Sequence, residues 1–189
     1  MRKATRKSKT LNVQSVVDNE STTEQLSLDE LCAEGTFESA VYSHLHLHNR
    51  HLLTESDRAA GVLAPAFLDD LLGQLLRVKL NESTSTASLL APDRGALGTF
   101  SAKIDMTHSM GLIDSTTWND LHIIRKIRNR FAHEIDIHDF SDDSVRDLVA
   151  NLSIAGKVPE SVAKDPRKIF TYAVGQITFA IAKNFPNGT

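Results

Sequence analysis

From Ala59 to Leu80 the apolar residues Ala59, Ala60, Val62, Leu63, Phe67, Leu68, Leu71, Leu72, Leu75, Leu76 and Leu80 recur at helical spacing. Such a face is too broad for a helix lying alone on a surface, so other elements must wrap it. Nothing in the chain offers a sheet for that purpose. EIDIHDF, residues 134–140, alternates only briefly, is acidic, and reads as a helix exit. Aromatic residues are 6% of the chain, so the core must rest on Leu, Ile, Val and Ala. The fold class expected is all-α, a single bundle-like domain of about six or seven helices.

Punctuation residues set the boundaries. Ser27 and Glu30 form a capping-box pair, Gly35 closes that short helix, and Thr36 starts a helix running to about Leu53. Thr54 or Ser56 can cap the broad-faced helix, in which Pro65 predicts a kink or a division. Residues 81–92, NESTSTASLLAP, read as a loop. Gly95, Gly98 and Gly111 bracket a helix from about Phe100 to Met110, and Ser115 or Thr116 begins the next, with Trp118 as a core residue. Ser141 is the expected cap of DDSVRDLVANL, and Asp165 with Pro166 opens the last helix.

The charges are unevenly placed. Lys+Arg 21 against Asp+Glu 24 give a net charge of −3, which excludes a global basic field for gripping duplex nucleic acid. Yet Arg2, Lys3, Arg6, Lys7 and Lys9 stand in the first ten residues without an acid among them. Residues 1–25 show no apolar period and read as a flexible basic and polar arm, leaving 26–186 as the helical domain. The plain reading of the arm is a solvated tail; its basic end could also meet phosphates, with strong salt dependence. The single cysteine, Cys32, excludes an internal disulfide and has no basic neighbour in sequence to activate it. No apolar run is read as approaching the roughly 20 residues of a membrane span, and the start lacks a signal-peptide core, so a cytoplasmic protein is expected.

The segment LHIIRKIRNRFAHEIDIH, residues 121–138, carries the most chemistry. Leu121, Ile124, Ile127 and Phe131 trace one helical stripe, and by angle Arg128 falls inside it. An arginine there needs a carboxylate, a carbonyl or a protein partner. Arg125, Arg128 and Arg130, close to Asn129 and His133, are also a candidate phosphate-contacting group. The Arg128-Asn129…His133 spacing resembles the Arg–polar–x–x–x–His element of the HEPN superfamily, whose catalytic members cleave RNA without metal at a dimer interface. That resemblance implies His133 as the proton-transfer group, Arg128 as the phosphate stabiliser and Asn129 as an orienting residue. On a straight helix, however, Arg128 and His133 stand about 140° apart. The structural alternative is that Arg128 ties helices together and His133 finishes the helix.

A longer block is more specific. Leu97-Gly98-Thr99-Phe100-Ser101, Lys103-Ile104, Gly111-Leu112-Ile113, Ile124 to Asn129 and Phe131-Ala132-His133 occur in this order. Together they are similar to the mannitol operon repressor family, the MtlR-like bacterial regulators, across roughly residues 40–155. The resemblance implies an all-helical regulator of transcription. The residues themselves offer no helix-turn-helix with a polar reading surface. Control is therefore expected to run through protein contacts, in a homodimer and with a partner such as a DNA-binding regulator. Direct nucleic-acid contact and metal-independent endoribonuclease chemistry are the alternative.

Other clusters are weaker. His44, His48 and His51 share i, i+4, i+7 spacing, with His46 beside them and Glu55 extending the face. This reads as a polar helix edge, and no metal or other cofactor is expected. Gly95 and Gly98 are too sparse for a phosphate loop. Asp69 and Asp70 read as a solvated or partner-facing edge unless one of them neutralises a buried arginine.

Overall fold

The computed structural model describes residues 54–81 and 83–186. Among them the chain forms seven α-helices and no strand: α1 Asp57–Lys79, α2 Thr84–Leu89, α3 Phe100–Ser109, α4 Ser115–His133, α5 Asp143–Ala150, α6 Glu160–Ala163 and α7 Pro166–Ala182. The all-α expectation holds. The arm, Cys32, the helices read before residue 54 and the histidines 44, 46, 48 and 51 lie outside the described residues.

α1 occupies the centre, packed against α3, α4 and α7, while α5 packs on α4 and α7. Ala60, Ala64, Leu68, Leu72, Leu75 and Leu76 are buried along it, which explains the breadth of its apolar face. Ser56 is its cap, the Oγ accepting the Ala59 N–H at 3.2 Å. α1 is long and apolar enough to span a membrane by length and composition, which corrects the reading that no run approaches that size. Half of its most apolar stretch is buried inside the protein, the position of a core helix.

Pro65 does not divide α1, which continues for 23 residues. Proline removes one ladder donor and presses on the carbonyl four residues back, here Gly61. Packing on three sides holds the helix through that loss. Residues 81–92 are not all loop, because Ser83 caps the short α2 through the Thr86 N–H at 3.1 Å. The Ser/Thr density that suggested a loop supplies a cap instead. The N-cap of α5 is Asp142 and not Ser141: Asp142 Oδ1 accepts the Ser144 N–H at 3.0 Å, while Ser141 bonds back to Asp139. α7 has the expected start, with Asp165 accepting the Lys168 N–H at 3.2 Å and Pro166 in the first turn.

Two junctions lock the helices. In the first, the Phe131 ring of α4 lies directly against Gly61 of α1, and a Cβ on Gly61 would stand 2.6 Å from Phe131 Cε2 and nearer still to Cδ2. Phe131 then contacts Phe140 at 4.9 Å between centroids, and Phe140 contacts Phe170 of α7 at 4.8 Å. In the second, Arg58 donates to the carbonyls of Glu134, Ile135 and Ile137, holding the α4 exit. Beside it Asp57 pairs with Arg167 and accepts the Phe140 N–H at 3.0 Å.

Alanine in place of a mid-helix glycine normally stabilises by up to about 1 kcal/mol. Gly61→Ala should instead lose about 1–3 kcal/mol in urea unfolding, because its methyl enters the space of a buried ring. A neutral or stabilised variant would show that the α1–α4 approach is looser than described.

Candidate functional site

Where α1, α3 and the middle of α4 diverge they leave a cleft of about 480 Å³. Pro65, Ala66 and Asp69 of α1 form one wall, Gly98 to Ser101 a second, and Arg125, Arg128 and Asn129 of α4 the third. The second wall is shaped by a tightly folded loop. Gly98 donates to Gly95 O at 2.9 Å, Gly95 to Ala91 O at 2.8 Å and Leu97 to Leu89 O at 2.8 Å. A Cβ on Gly98 would meet Pro92 O at 2.9 Å, so glycine there permits close backbone approach.

Thr99 caps α3 by accepting the Ala102 N–H at 3.2 Å. The ladder begins with Lys103 N–H to Thr99 O, so the amides of Phe100 and Ser101 have no intrahelical acceptor at this rim. Asp69 does not stand as a free negative charge, and its partner is a lysine, not the buried arginine the sequence suggested. Lys103 Nζ donates to its Oδ1 at 2.7 Å, and the lysine side chain is only 11% exposed. Asp70 instead accepts from Gln74 at 2.7 Å, which separates the two members of the carboxylate pair.

Arg128 corrects the sequence reading. It is exposed, and its Nη1 donates to Asn129 Oδ1 at 3.2 Å. Its angle does belong to the stripe of Leu121, Ile124 and Ile127, but α1 and α3 stand apart at this level. Arg125 is half-buried at the same cleft, with its Nε buried and without an acceptor among the described residues. Arg130 is turned away and pairs with Glu134 at 2.5 Å. His133 is exposed at the end of α4 and is not among the residues lining the cleft. Arg128 and Asn129 are thus brought together, and His133 does not join them.

A polar cluster beside the cleft escaped the sequence reading. Asp105 of α3 accepts from Trp118 Nε1 at 2.9 Å and contacts His122 Nε2 at 3.0 Å. Trp118 is half-buried and packs against the edge of the core, its ring tilted against His108 at 5.4 Å and edge-on to His122 at 4.7 Å. The i, i+4 spacing of Trp118 and His122 was visible, but their shared acceptor on another helix was not. No group of three metal-binding side chains occurs among the described residues.

Comparison with known proteins fits this architecture. The model of the family described as MtlR, mannitol repressor, matches residues 65–177. The chain belongs to the mannitol repressor family. Comparison with curated proteins found no match. Among solved structures, a chain of the X-ray structure of the MtlR-HPr complex from Escherichia coli matches with a TM-score of 0.59 and 17% identity, over 77% of this chain and 98% of that one. At that identity the likeness concerns the fold. The helices that build the cleft fall largely inside the region matched by the mannitol repressor model.

The Asp105 carboxyl is held below its ordinary value of 3.8, first by the Trp118 hydrogen bond; burial opposes this, and the His122 hydrogen bond and the charges of His122 and Arg125 add to the lowering. A lowered pKa in the folded state contributes stability above the unfolded value, and this is lost as pH falls through the folded one. The difference in melting temperature between wild type and Asp105→Ala should therefore be largest above about pH 4 and shrink on further acidification. A difference constant across the acid range would assign the effect to packing alone.

Proposed function

We propose that this mannitol repressor family member regulates transcription of a sugar-alcohol operon of the mannitol type through protein contacts. The single observation that carries the reading is the family match across residues 65–177. It is supported by the architecture of α4: the apolar stripe is buried against α1, and Arg125 and Arg128 open into a cleft. The sequence offers no helix-turn-helix pair with a polar reading surface, although Lys126 and Arg130 of α4 are exposed. Contact with DNA then falls to a partner, such as a DNA-binding regulator. An HPr-type protein is the proposed second partner, because the solved relative is an MtlR held in a complex with HPr. The active form is a homodimer in the cytoplasm, and the basic residues Arg2, Lys3, Arg6, Lys7 and Lys9 add only salt-sensitive phosphate contacts.

Calorimetric titration of the full chain with HPr from the same source should give saturable binding, and no binding at high micromolar concentration would remove that partner. Sedimentation should give a dimer at the same concentrations; a monomer would overturn the assembly. Mixed RNA incubated with the protein in EDTA should stay intact. Metal-independent cleavage that disappears in both Arg128→Ala and His133→Ala would replace this reading with the ribonuclease one.

A further inference from the structure

The cleft has the chemistry of an anion receptor, a property that goes beyond the regulator reading and does not depend on it. We infer that it binds the phosphoryl group of a small phosphate monoester. Arg125 and Arg128 are three residues apart on α4, so their side chains lie about 60° apart around the helix and can converge on one group. Neither takes part in an ion pair among the described residues, although the charge of Arg125 also acts on Asp105 from a greater distance. Arg128 gives one donor to Asn129 and keeps the rest of its fork, and the terminal Nη groups of Arg125 make no hydrogen bond among the described residues. The Nη donors of a guanidinium that has no protein acceptor remain available to an anion entering the cleft. A phosphoryl group offers several acceptor oxygens, and paired arginines suit its geometry.

The remaining walls agree. Asp69 would repel an anion, but Lys103 is seated on it at 2.7 Å and offsets its charge. The open amides of Phe100 and Ser101 add donors at the α3 rim, where the helix dipole favours negative charge. Pro65, Ala66 and Phe100 supply apolar surface for a short carbon chain. A volume of about 480 Å³ is that of a small-molecule site.

A nucleic-acid backbone fits less well. It needs a row of accessible cations, whereas Arg130 is about 160° around the helix from Arg128 and is engaged with Glu134. Lys126 is exposed but does not line the cleft.

Calorimetry on the full chain with glycerol phosphate, inorganic phosphate, glycerol and a single-stranded RNA oligomer tests this. Glycerol phosphate should bind at millimolar affinity or better, inorganic phosphate more weakly, and glycerol not at all. Arg125→Gln and Arg128→Gln should each weaken binding roughly tenfold or more. Lys126→Gln removes the same charge outside the cleft and should leave binding unchanged, and circular dichroism of each variant confirms folding. Absence of phosphate binding by the wild type overturns the inference. So does an equal loss in Lys126→Gln, or RNA binding without binding of either small phosphate. Inorganic phosphate binding as tightly as the ester would reject the monoester in favour of the free ion.

Discussion

The fold depends on how closely α4 can approach α1, and that distance is set by a ring lying on a glycine. Phe131 fills the space that a side chain at position 61 would occupy, and it reaches α7 through Phe140 and Phe170. Three helices are thereby referred to one point. The same approach, continued along α1, places Pro65 and Asp69 opposite Arg125 and Arg128. The cleft is what remains where the helices part beyond their closest contact.

Around this apolar junction the polar groups that bear structure are few, and each joins distant segments. Asp120 is a buried carboxylate in α4 that accepts the Ser153 N–H at 2.9 Å and its hydroxyl at 2.5 Å, fixing the turn after α5. Asp57 and Arg58 stand side by side in the first turn of α1 and bind α7 and the α4 exit respectively. Pairs on exposed helix surfaces, such as Lys164 with Glu160 at 3.8 Å, contribute little to stability by comparison.

Periodicity made the helices readable, because burial of α1, α4 and α7 follows single stripes that need no knowledge of neighbours. Capping residues placed most boundaries, since each acts within three residues of itself. The errors arose where a residue has two uses. Ser83 is a loop residue by composition and a cap by geometry, and the hydroxyl of Ser141 serves Asp139. Arg128 was the instructive case. Its angle is that of a core residue, yet whether an angle is buried depends on what stands opposite, and opposite Arg128 there is a gap. The arginine cluster was legible as a group, but its division between the cleft face and the Glu134 side needed the packing partners. Trp118 and His122 stand one turn apart on α4, but Asp105 belongs to α3, and only the α3–α4 contact unites the three.

Arg58 holds the turn after α4 by its carbonyl oxygens, which every residue carries. Ile137 is buried within that turn, but Ile135 is 82% exposed and His133, Glu134 and Asp136 face solvent. The path of the backbone is therefore largely independent of what those outward side chains are. Side chains at this corner can therefore change with little cost to the fold, so the end of α4 can carry varied chemistry while the helices beneath it stay as they are.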